Sequence, residues 1–375
     1  MKRFINMGSI PQFREVVKNL QHQVRYDGLD EDGNPIYTDR KMPIIKVQAT
    51  EKIHGTNAAV CYSHPDGFWV QSRKNIITPE KDNAACAFAA QANDIAWMEI
   101  IDSLINEYNI DCHKEIITVY FEWCGGNIQK NACVSGLDKM AVIFKYFKVS
   151  PIEPQTSDDG KEVAARWLET TLTIPGDFSE GYIPRRFVQN PEKNIYNVAS
   201  FPSVELEIDF NEPQMAVNEM IKLTEEVEDN SGIAKAFNVP DNIGEGWVWT
   251  FVLDGNRFIW KTKGEKHAGK SKVKVLKPVD EAKEKIKIDF VNNVACQAFR
   301  LDQMFTEVKN SEYNGDVMKM SMKDMGTYLR LIHKDIIKEH SDELMEKGLE
   351  PKTINGMVSK VAKDYFINRL NEEQM

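Results

Sequence analysis

The sequence predicts an α+β protein with antiparallel or mixed sheets, followed by a small all-helical domain. Strand-like segments alternate with only a few long helices between residues 44 and 149, and strands return at 246–263. After Pro278 the apolar residues have helical spacing to the end of the sequence. With 375 residues, two or three domains are expected. We place one domain at 1–280, with an insert near 150–240, and the helical domain at 281–375.

The first predicted element is an N-terminal helix over residues 10–24, because Phe13, Val16 and Leu20 have helical spacing. The turn sequence Asp254-Gly255-Asn256 predicts a hairpin. The remaining predicted strands are at 44–47, 57–62, 67–72, 115–123, 141–149, 246–253 and 257–263. The remaining predicted helices are at 83–97, 98–108, 215–228, 280–309, 321–341 and 352–371.

Composition restricts the possible partners and compartment. The net charge is −10, so a nucleic-acid partner would require a local basic patch. Residues 257–277 provide one, with eight Lys or Arg against one acid, a local charge of +7. The patch fits contacts with a phosphate backbone, and a solvated linker into the helical domain is the alternative. Six cysteines without a Cys-x-x-Cys pair argue against structural zinc and for reduced thiols in the cytoplasm. No apolar run approaches twenty residues, so no membrane segment is expected.

The strongest candidate for chemistry is Lys52, which follows an apolar, strand-like run and precedes Gly55. A lysine amine attacks a phosphoryl or carbonyl centre only where its site keeps it partly neutral. Gly55 would let the backbone approach a phosphate or nucleotide. The bare pattern Lys-x-x-Gly also occurs at Lys261, Lys266 and Lys323, so the pattern alone does not single out Lys52.

Signals downstream of Lys52 do single it out. Arg73 ends a predicted strand, Glu122 lies inside an apolar strand, and Glu245 begins another. Lys261 and Lys263 are two residues apart and therefore point to the same face of a strand. Each signal also has a purely structural interpretation. Glu122 could be a buried salt-bridge partner, and the two lysines could be a solvated edge that opposes aggregation.

Together and in this order, the motifs resemble the covalent nucleotidyltransferase superfamily of ATP-dependent ligases and mRNA capping enzymes. Within it they resemble the RNA ligase 2 family, known from bacteriophages and RNA-editing ligases. Residues 51–57 (EKIHGTN) are similar to that family's first motif, including its histidine. Residues 125–131 are similar to the continuation of its third motif. The resemblance implies a nucleotidyltransferase fold with ATP-grasp-like sheets and an enzyme that uses ATP and Mg²⁺.

The resemblance also implies the reaction. Lys52 would attack the α-phosphate of ATP and form a lysyl-adenylate, with release of pyrophosphate. The AMP would pass to a 5′-phosphate on RNA, and a 3′-hydroxyl would displace it. Lys261 and Lys263 would clamp the α-phosphate, and Glu245 would hold Mg²⁺ or its water.

The resemblance assigns further residues to the cofactor and to the nucleic acid. Glu122 would accept hydrogen bonds from the ribose, Arg73 would reach ribose or phosphate, and Phe144 would stack on adenine. Lys145 departs from the pattern, because the family usually has an aspartate after this aromatic residue. The remaining assignments are Glu51 as a cofactor-binding residue, His54 and Asn57 beside the nucleophile, and Arg300 and Asp335 in the nucleic-acid step.

Three functions are compatible with these motifs. The first is an RNA ligase that seals nicks in duplex RNA or RNA/DNA hybrid, acting as a monomer. The second keeps the lysine chemistry in a DNA ligase or capping-type enzyme, but those relatives append an OB-fold, whereas this tail is predicted to be helical. The third is a binding-only relative without catalysis. The intact set of Lys52, Glu122, Glu245, Lys261 and Lys263 argues against it.

Overall fold

The structure is a computed structural model that describes residues 2–29, 35–130, 133–153, 165–174, 185–240, 243–265 and 278–374. The described residues form two compact units. One contains the described residues within 1–13, 45–208 and 219–276. The other contains those within 14–44, 209–218 and 277–375, so most of the N-terminal helix groups with the C-terminal helices and not with the sheets.

Most strands belong to two sheets. The strands are β1 Tyr26–Leu29, β2 Pro35–Tyr37, β3 Ile44–Glu51, β4 Thr56–Ser63, β5 Gly67–Ser72, β6 Ile76–Ile77, β7 Glu115–Cys124, β8 Met140–Ile143, β9 Tyr146–Pro151, β10 Arg166–Glu169, β11 Thr171–Thr173, β12 Arg185–Phe187, β13 Ile195–Asn197, β14 Ser203–Asp209, β15 Gly246–Leu253 and β16 Asn256–Lys263. An eight-stranded sheet has the order β10-β9-β7-β4-β5-β6, with β8 between β7 and β13. A four-stranded sheet has the order β14-β3-β15-β16.

The larger sheet is mixed, because β8 and β13 pair in parallel while its other described pairs are antiparallel. Its core is continuous with two helices, of which one supplies Ala87 and Ala90 and the other supplies Trp97, Ile101 and Leu104. The helices of the protein are α1 Phe13–Arg25, α2 Cys86–Ala92, α3 Asp94–Tyr108, α4 Val217–Asp229, α5 Gly232–Ala236, α6 Glu281–Phe290, α7 Ala298–Tyr313, α8 Met325–Glu346 and α9 Pro351–Gln374. The α+β class with antiparallel and mixed sheets and a helical C-terminal region is thus confirmed.

Residues 150–240 differ from the expected insert. They provide β10 and β13 to the larger sheet and β14 to the smaller one, where β14 pairs with β3. These strands have three to seven residues and lack a long apolar run, which explains why the sequence pattern did not reveal them. The segment is part of the sheet framework.

The C-terminal helices pack around their own core, which includes Phe305, Tyr328, Val358 and Phe366. The sequence predicted one helix over 280–309, but a π-helical turn at Val291–Ala295 separates α6 from α7. No helix among the described residues is long and apolar enough to cross a membrane.

Candidate active site

The four-stranded sheet brings together the ends of three adjacent strands. β15 pairs with β3, where Trp247 is opposite Glu51, and with β16, where Gly246 is opposite Lys263. The chain leaves β3 at Lys52, whose backbone N–H donates to the carbonyl of Gly246 at 2.8 Å. Residues that are about 200 positions apart in the sequence therefore meet at one edge of the sheet.

Two glycines permit this close approach. A Cβ at Gly55 would overlap the carbonyl oxygen of Trp123 on β7. Gly246 has a φ of +141°, and a Cβ there would overlap the carbonyl oxygen of Thr262 on β16. Only glycine adopts that backbone conformation without strain. Glycine is therefore required at both positions, because neighbouring strands approach each other closely there.

Glu245 is the centre of the resulting cluster. Its carboxylate accepts from Lys52 Nζ at 2.6 Å, from His54 Nδ1 at 3.0 Å, and from Lys263 Nζ. The Glu245 side chain is only 2% exposed. Burial alone would raise the pKa of Glu245, but the hydrogen bond from His54 and the two lysine partners outweigh burial and hold that pKa well below its usual range. The carboxylate is therefore ionised at neutral pH.

Glu122 is the second carboxylate of the site. It lies on β7 directly opposite Asn57 of β4 and accepts from the backbone N–H of Gly55 at 3.0 Å. Burial raises the pKa of Glu122 to about 7, and the negative charge of Glu245 adds to the increase, although Lys52 opposes it. The surroundings thus shift the pKa values of the two carboxylates in opposite directions, as in sites where two carboxylates have different roles.

Further cations line the same cavity as this cluster. Burial lowers the pKa of Lys261, and the neighbouring charges of Lys52 and Lys263 lower it further. Arg73 is exposed where β5 ends, and its positive charge also acts on Lys261. Such a concentration of positive charge is suited to an anionic ligand.

These residues line one open cavity of about 930 Å³. Its wall also contains apolar and aromatic side chains, among them Phe144, Val248 and Ile259. The N-terminal segment forms a further wall, which includes Phe4, Asn6, Met7, Gly8, Ser9 and Ile10. Asn57 donates to Met7 Sδ at 3.3 Å and so connects this segment to β4. The cavity is of the size that proteins use for small ligands.

Glu51 has a different environment from the other residues of its motif. Its carboxylate is 3% exposed and accepts from Ser231 Oγ and from the backbone N–H of Ile233 at 3.1 Å. Burial raises the pKa of Glu51, although these donors act in the opposite direction. The side chain thus anchors the end of β3 to the start of α5, behind Lys52.

Arg300 and Asp335 are not in this cavity. They lie on α7 and α8 in the helical unit, where Arg300 Nε donates to Asp335 at 2.8 Å. Arg300 also donates to the carbonyls of Val294 and Ala295 at 2.7 and 2.9 Å and contacts His340 Nε2 at 2.6 Å. The two residues that the resemblance grouped are therefore direct partners.

The basic patch predicted at residues 257–277 can be located only in part, because residues 266–277 lie outside the described residues. Within the described part, Arg257 lines the cavity together with Lys261 and Lys263. The sequence motifs did not indicate Arg257 as a residue of this cavity. The alternation of Arg257, Ile259, Lys261 and Lys263 along one strand is the signal that could have found it.

Glu245 fits the Mg²⁺ site that the resemblance implies. A buried carboxylate is a hard oxygen ligand, and Mg²⁺ is commonly bound by one or two carboxylates together with substrate phosphates and water. Within the part of the chain that the structure describes, no group of three or more His, Cys, Asp or Glu side chains is arranged to hold a metal by itself. Glu245 would therefore share the ion with the nucleotide.

A lysine, a glutamate and a second lysine enter one cavity from adjacent strand ends, in a protein built on antiparallel and mixed sheets. This is the arrangement of a nucleotidyltransferase. A sequence model described as RNA ligase matches residues 45–263, which is more than half of the chain. The chain belongs to the RNA ligase family.

Among solved structures, the chain is similar to forms of the Naegleria gruberi RNA ligase. The form with PPi has 16% identity and a TM-score of 0.39, over 73% of this chain and 60% of that chain. A mutant with ATP and Mn has 15% identity and a TM-score of 0.38, over 72% and 60%. A mutant with AMP and Mn has 15% identity and a TM-score of 0.39, over 73% and 60%. The chain thus spans about 60% of the length of these structures. A comparison with curated proteins finds no match.

Proposed function

We propose that this protein is an ATP-dependent RNA ligase that joins 3′-hydroxyl and 5′-phosphate ends through a lysyl-AMP on Lys52. The observation that carries the proposal is the position of Lys52 Nζ, 2.6 Å from Glu245 and in the same cavity as Lys261 and Lys263. The cavity thus presents an amine nucleophile and two further cations to a phosphate group. Membership of the RNA ligase family supports this substrate class.

In the first step, Lys52 Nζ forms a bond to the α-phosphorus of ATP, and the bond to pyrophosphate breaks. The amine must lose a proton before it attacks. Glu245 is a poor acceptor for that proton, because its surroundings keep its pKa low. Its role is better explained by holding Mg²⁺, which would neutralise phosphate charge when bound. Lys261 and Lys263 would hold the α-phosphate oxygens.

In the next two steps, an oxygen of the RNA 5′-phosphate displaces Lys52 from AMP, and the 3′-hydroxyl then displaces AMP to form the phosphodiester. Each step exchanges one bond to phosphorus for another. Positioning and charge neutralisation therefore account for most of the catalysis. Glu122 and Asn57, side by side on β7 and β4, would hold the ribose, and Phe144 would stack on the base.

The proposal includes finer properties. The substrate is a nick in duplex RNA or RNA/DNA hybrid, as expected of an enzyme of RNA repair, and the protein acts as a monomer. All six cysteines are buried and unpaired, which supports the proposed cytoplasmic location. A DNA ligase or a capping-type enzyme is the second candidate, because the Lys52 chemistry would be the same. The helical C-terminal region in place of an OB-fold favours the RNA ligase.

A sealing assay with ATP and Mg²⁺ tests the proposal. The panel compares nicked duplexes that have RNA or DNA on the 3′-hydroxyl side, single-stranded RNA, and GTP in place of ATP. Sealing of nicks with an RNA 3′-hydroxyl is expected. Efficient sealing of all-DNA nicks, or use of GTP alone, would instead support the second candidate.

Lys52→Ala is the decisive variant in this assay. It is expected to abolish both the AMP adduct and sealing, because it removes the amine that is proposed to attack the α-phosphorus. Lys323→Ala is the matched control, since Lys323 has the same Lys-x-x-Gly spacing but is exposed in the helical unit. An AMP adduct retained by Lys52→Ala, measured by intact mass, would refute the assignment.

A further inference from the structure

Strand β16 presents a row of four side chains to the cavity. Arg257, Ile259, Lys261 and Lys263 alternate along the strand and all line the cavity wall. Arg257 and Lys261 are four residues apart, which is about 14 Å along a strand. The row thus begins with the two phosphate-binding lysines, continues with an apolar residue, and ends with an arginine.

Among the residues that the structure describes, the guanidinium of Arg257 has no acidic partner. Its Cζ lies 3.5 Å from the ring centroid of Trp167 and 5.6 Å from that of Tyr146. Within the described part of the chain it makes no ion pair and no hydrogen bond. The phenol groups of Tyr146 and Tyr120 interact with its charge, and Lys148, another cation, lies near it. Desolvation lowers the pKa of Arg257 to about 10, so the group stays charged at neutral pH.

A partly buried charge without a partner among the described residues is costly, and such a group is usually paired or in use. Stacking on Trp167 covers one face of the guanidinium and fixes its plane. Its N–H groups, which can only donate, lie at the edge of that plane. They are available to an acceptor atom of a ligand in the cavity.

We propose that Arg257 is a specificity-determining residue that donates a hydrogen bond to a ring nitrogen on the outer edge of the nucleotide's base. This inference rests on the proposed function. The phosphate end of the cavity is already provided with Lys261 and Lys263. Ile259, which lies between them and Arg257 along β16, suits the face of a base, and Phe144 and Val248 add apolar surface to the same cavity. A ribose and a base would fill the interval along β16. Arg257 then meets the edge of the base and not a phosphate.

A thermodynamic cycle that combines protein variants with ATP analogues tests this inference. The rate of Lys52 adduct formation is measured by intact mass for wild type and Arg257→Gln, with ATP and with its 1-deaza, 3-deaza and 7-deaza analogues. Each analogue lacks one ring acceptor. For one of them, wild type is expected to lose roughly ten- to a hundredfold in rate, the effect of a charged donor losing its acceptor. Arg257→Gln is expected to react with that analogue and with ATP at similar rates.

Lys148→Gln is the matched control, because Lys148 also lies over Trp167, at 5.7 Å, but does not line the cavity. It should keep the wild-type analogue profile. A purely structural defect in Arg257→Gln would slow ATP and all analogues equally, which would overturn the inference. Normal adduct formation with impaired sealing would also overturn it, since Arg257 would then serve RNA. If wild type formed no adduct with any nucleotide, the proposed function itself would be refuted.

Discussion

At the residue scale, the site depends on the contrast between two glutamates. Glu245 is held ionised by Lys52, Lys263 and His54, whereas Glu122 is buried and, among the described residues, accepts a hydrogen bond from the Gly55 N–H. Burial raises the pKa of Glu122 to about 7, so its protonation changes within the physiological range. A group that accepts hydrogen bonds from ribose hydroxyls would do so best when ionised.

This contrast gives a prediction about stability and pH. The pKa of Glu122 is 4.5 in the unfolded chain and about 7 in the folded protein. The folded state therefore binds the extra proton between these values, and burial of the charge costs stability as pH rises from about 4.5 to about 7. Glu122→Gln removes this cost. The variant should be more stable than wild type at pH 8, by on the order of 3 kcal/mol, and equal to it at pH 4.5.

Urea denaturation of both proteins at the two pH values measures the difference. Gln also accepts the Gly55 hydrogen bond, so the comparison isolates the charge. A stability difference that is the same at both pH values would show that Glu122 does not titrate as described.

At the element scale, the hairpin of β15 and β16 shows what local sequence can predict. Asp254-Gly255-Asn256 predicted the turn, and Leu253 is indeed opposite Asn256, with positive φ at Asp254 and Gly255. Once the turn is fixed, alternation determines which residues of β16 share a face. Lys261 and Lys263 could therefore be grouped from the sequence, and the structure places both in one cavity.

Other parts of the site depend on contacts that local patterns do not contain. The pairing of β3 with β15 joins Glu51 to Trp247, and nothing near either residue encodes that pairing. The same holds for Ser231, which donates to Glu51 from a region where the sequence predicted an insert. Tyr146 and Trp167, which flank Arg257, meet it only through the pairing of β9 and β10 and the approach of the two sheets.

The hairpin also leads to a prediction about its first residue. Gly246→Ala would force a φ of +141° on an alanine and place its Cβ against Thr262 O. The backbone conformation alone should cost about 1–3 kcal/mol in the free energy of unfolding. A shift of β15 to relieve the contact would move Glu245 and slow adenylation. Urea denaturation and the adenylation rate measure the two effects.

Gly356→Ala is the matched control. Gly356 lies inside α9, and a Cβ there meets no atom within 4 Å. Alanine is the better helix former, so this change should raise stability by up to about 1 kcal/mol without affecting adenylation. If both substitutions changed stability equally, the conformation of Gly246 would not be the cause.

At the scale of the whole molecule, the described residues divide the proposed reaction between two units. The residues proposed to bind the nucleotide all belong to the unit with the two sheets, whereas Arg300 and Asp335 belong to the helical unit. Their side chains are engaged with each other, and Arg300 is also bound to the carbonyls of the π-helical turn. We therefore expect them to influence sealing through the position of α7 and α8.

Arg300→Ala and Asp335→Ala should accordingly leave adenylation of Lys52 unchanged and impair sealing. Because the two side chains are partners, the double variant should lose about as much sealing activity as one single variant. Separate assays of adduct formation and of sealing measure this. Loss of the adduct in either single variant, or additive losses in the double variant, would contradict the assignment.

The N-terminal segment has a practical consequence. Ile5 is held by Gln71, which both donates to and accepts from its backbone, and by Tyr120, while Phe4 and Asn6 line the cavity. Anything fused before Lys2 would therefore start a few residues from the cavity that is proposed to bind the nucleotide. An affinity tag at this end could obstruct the binding of ATP, and the tagged protein would then be mistaken for an inactive enzyme. Recombinant protein for the assays above should therefore carry its tag after residue 375.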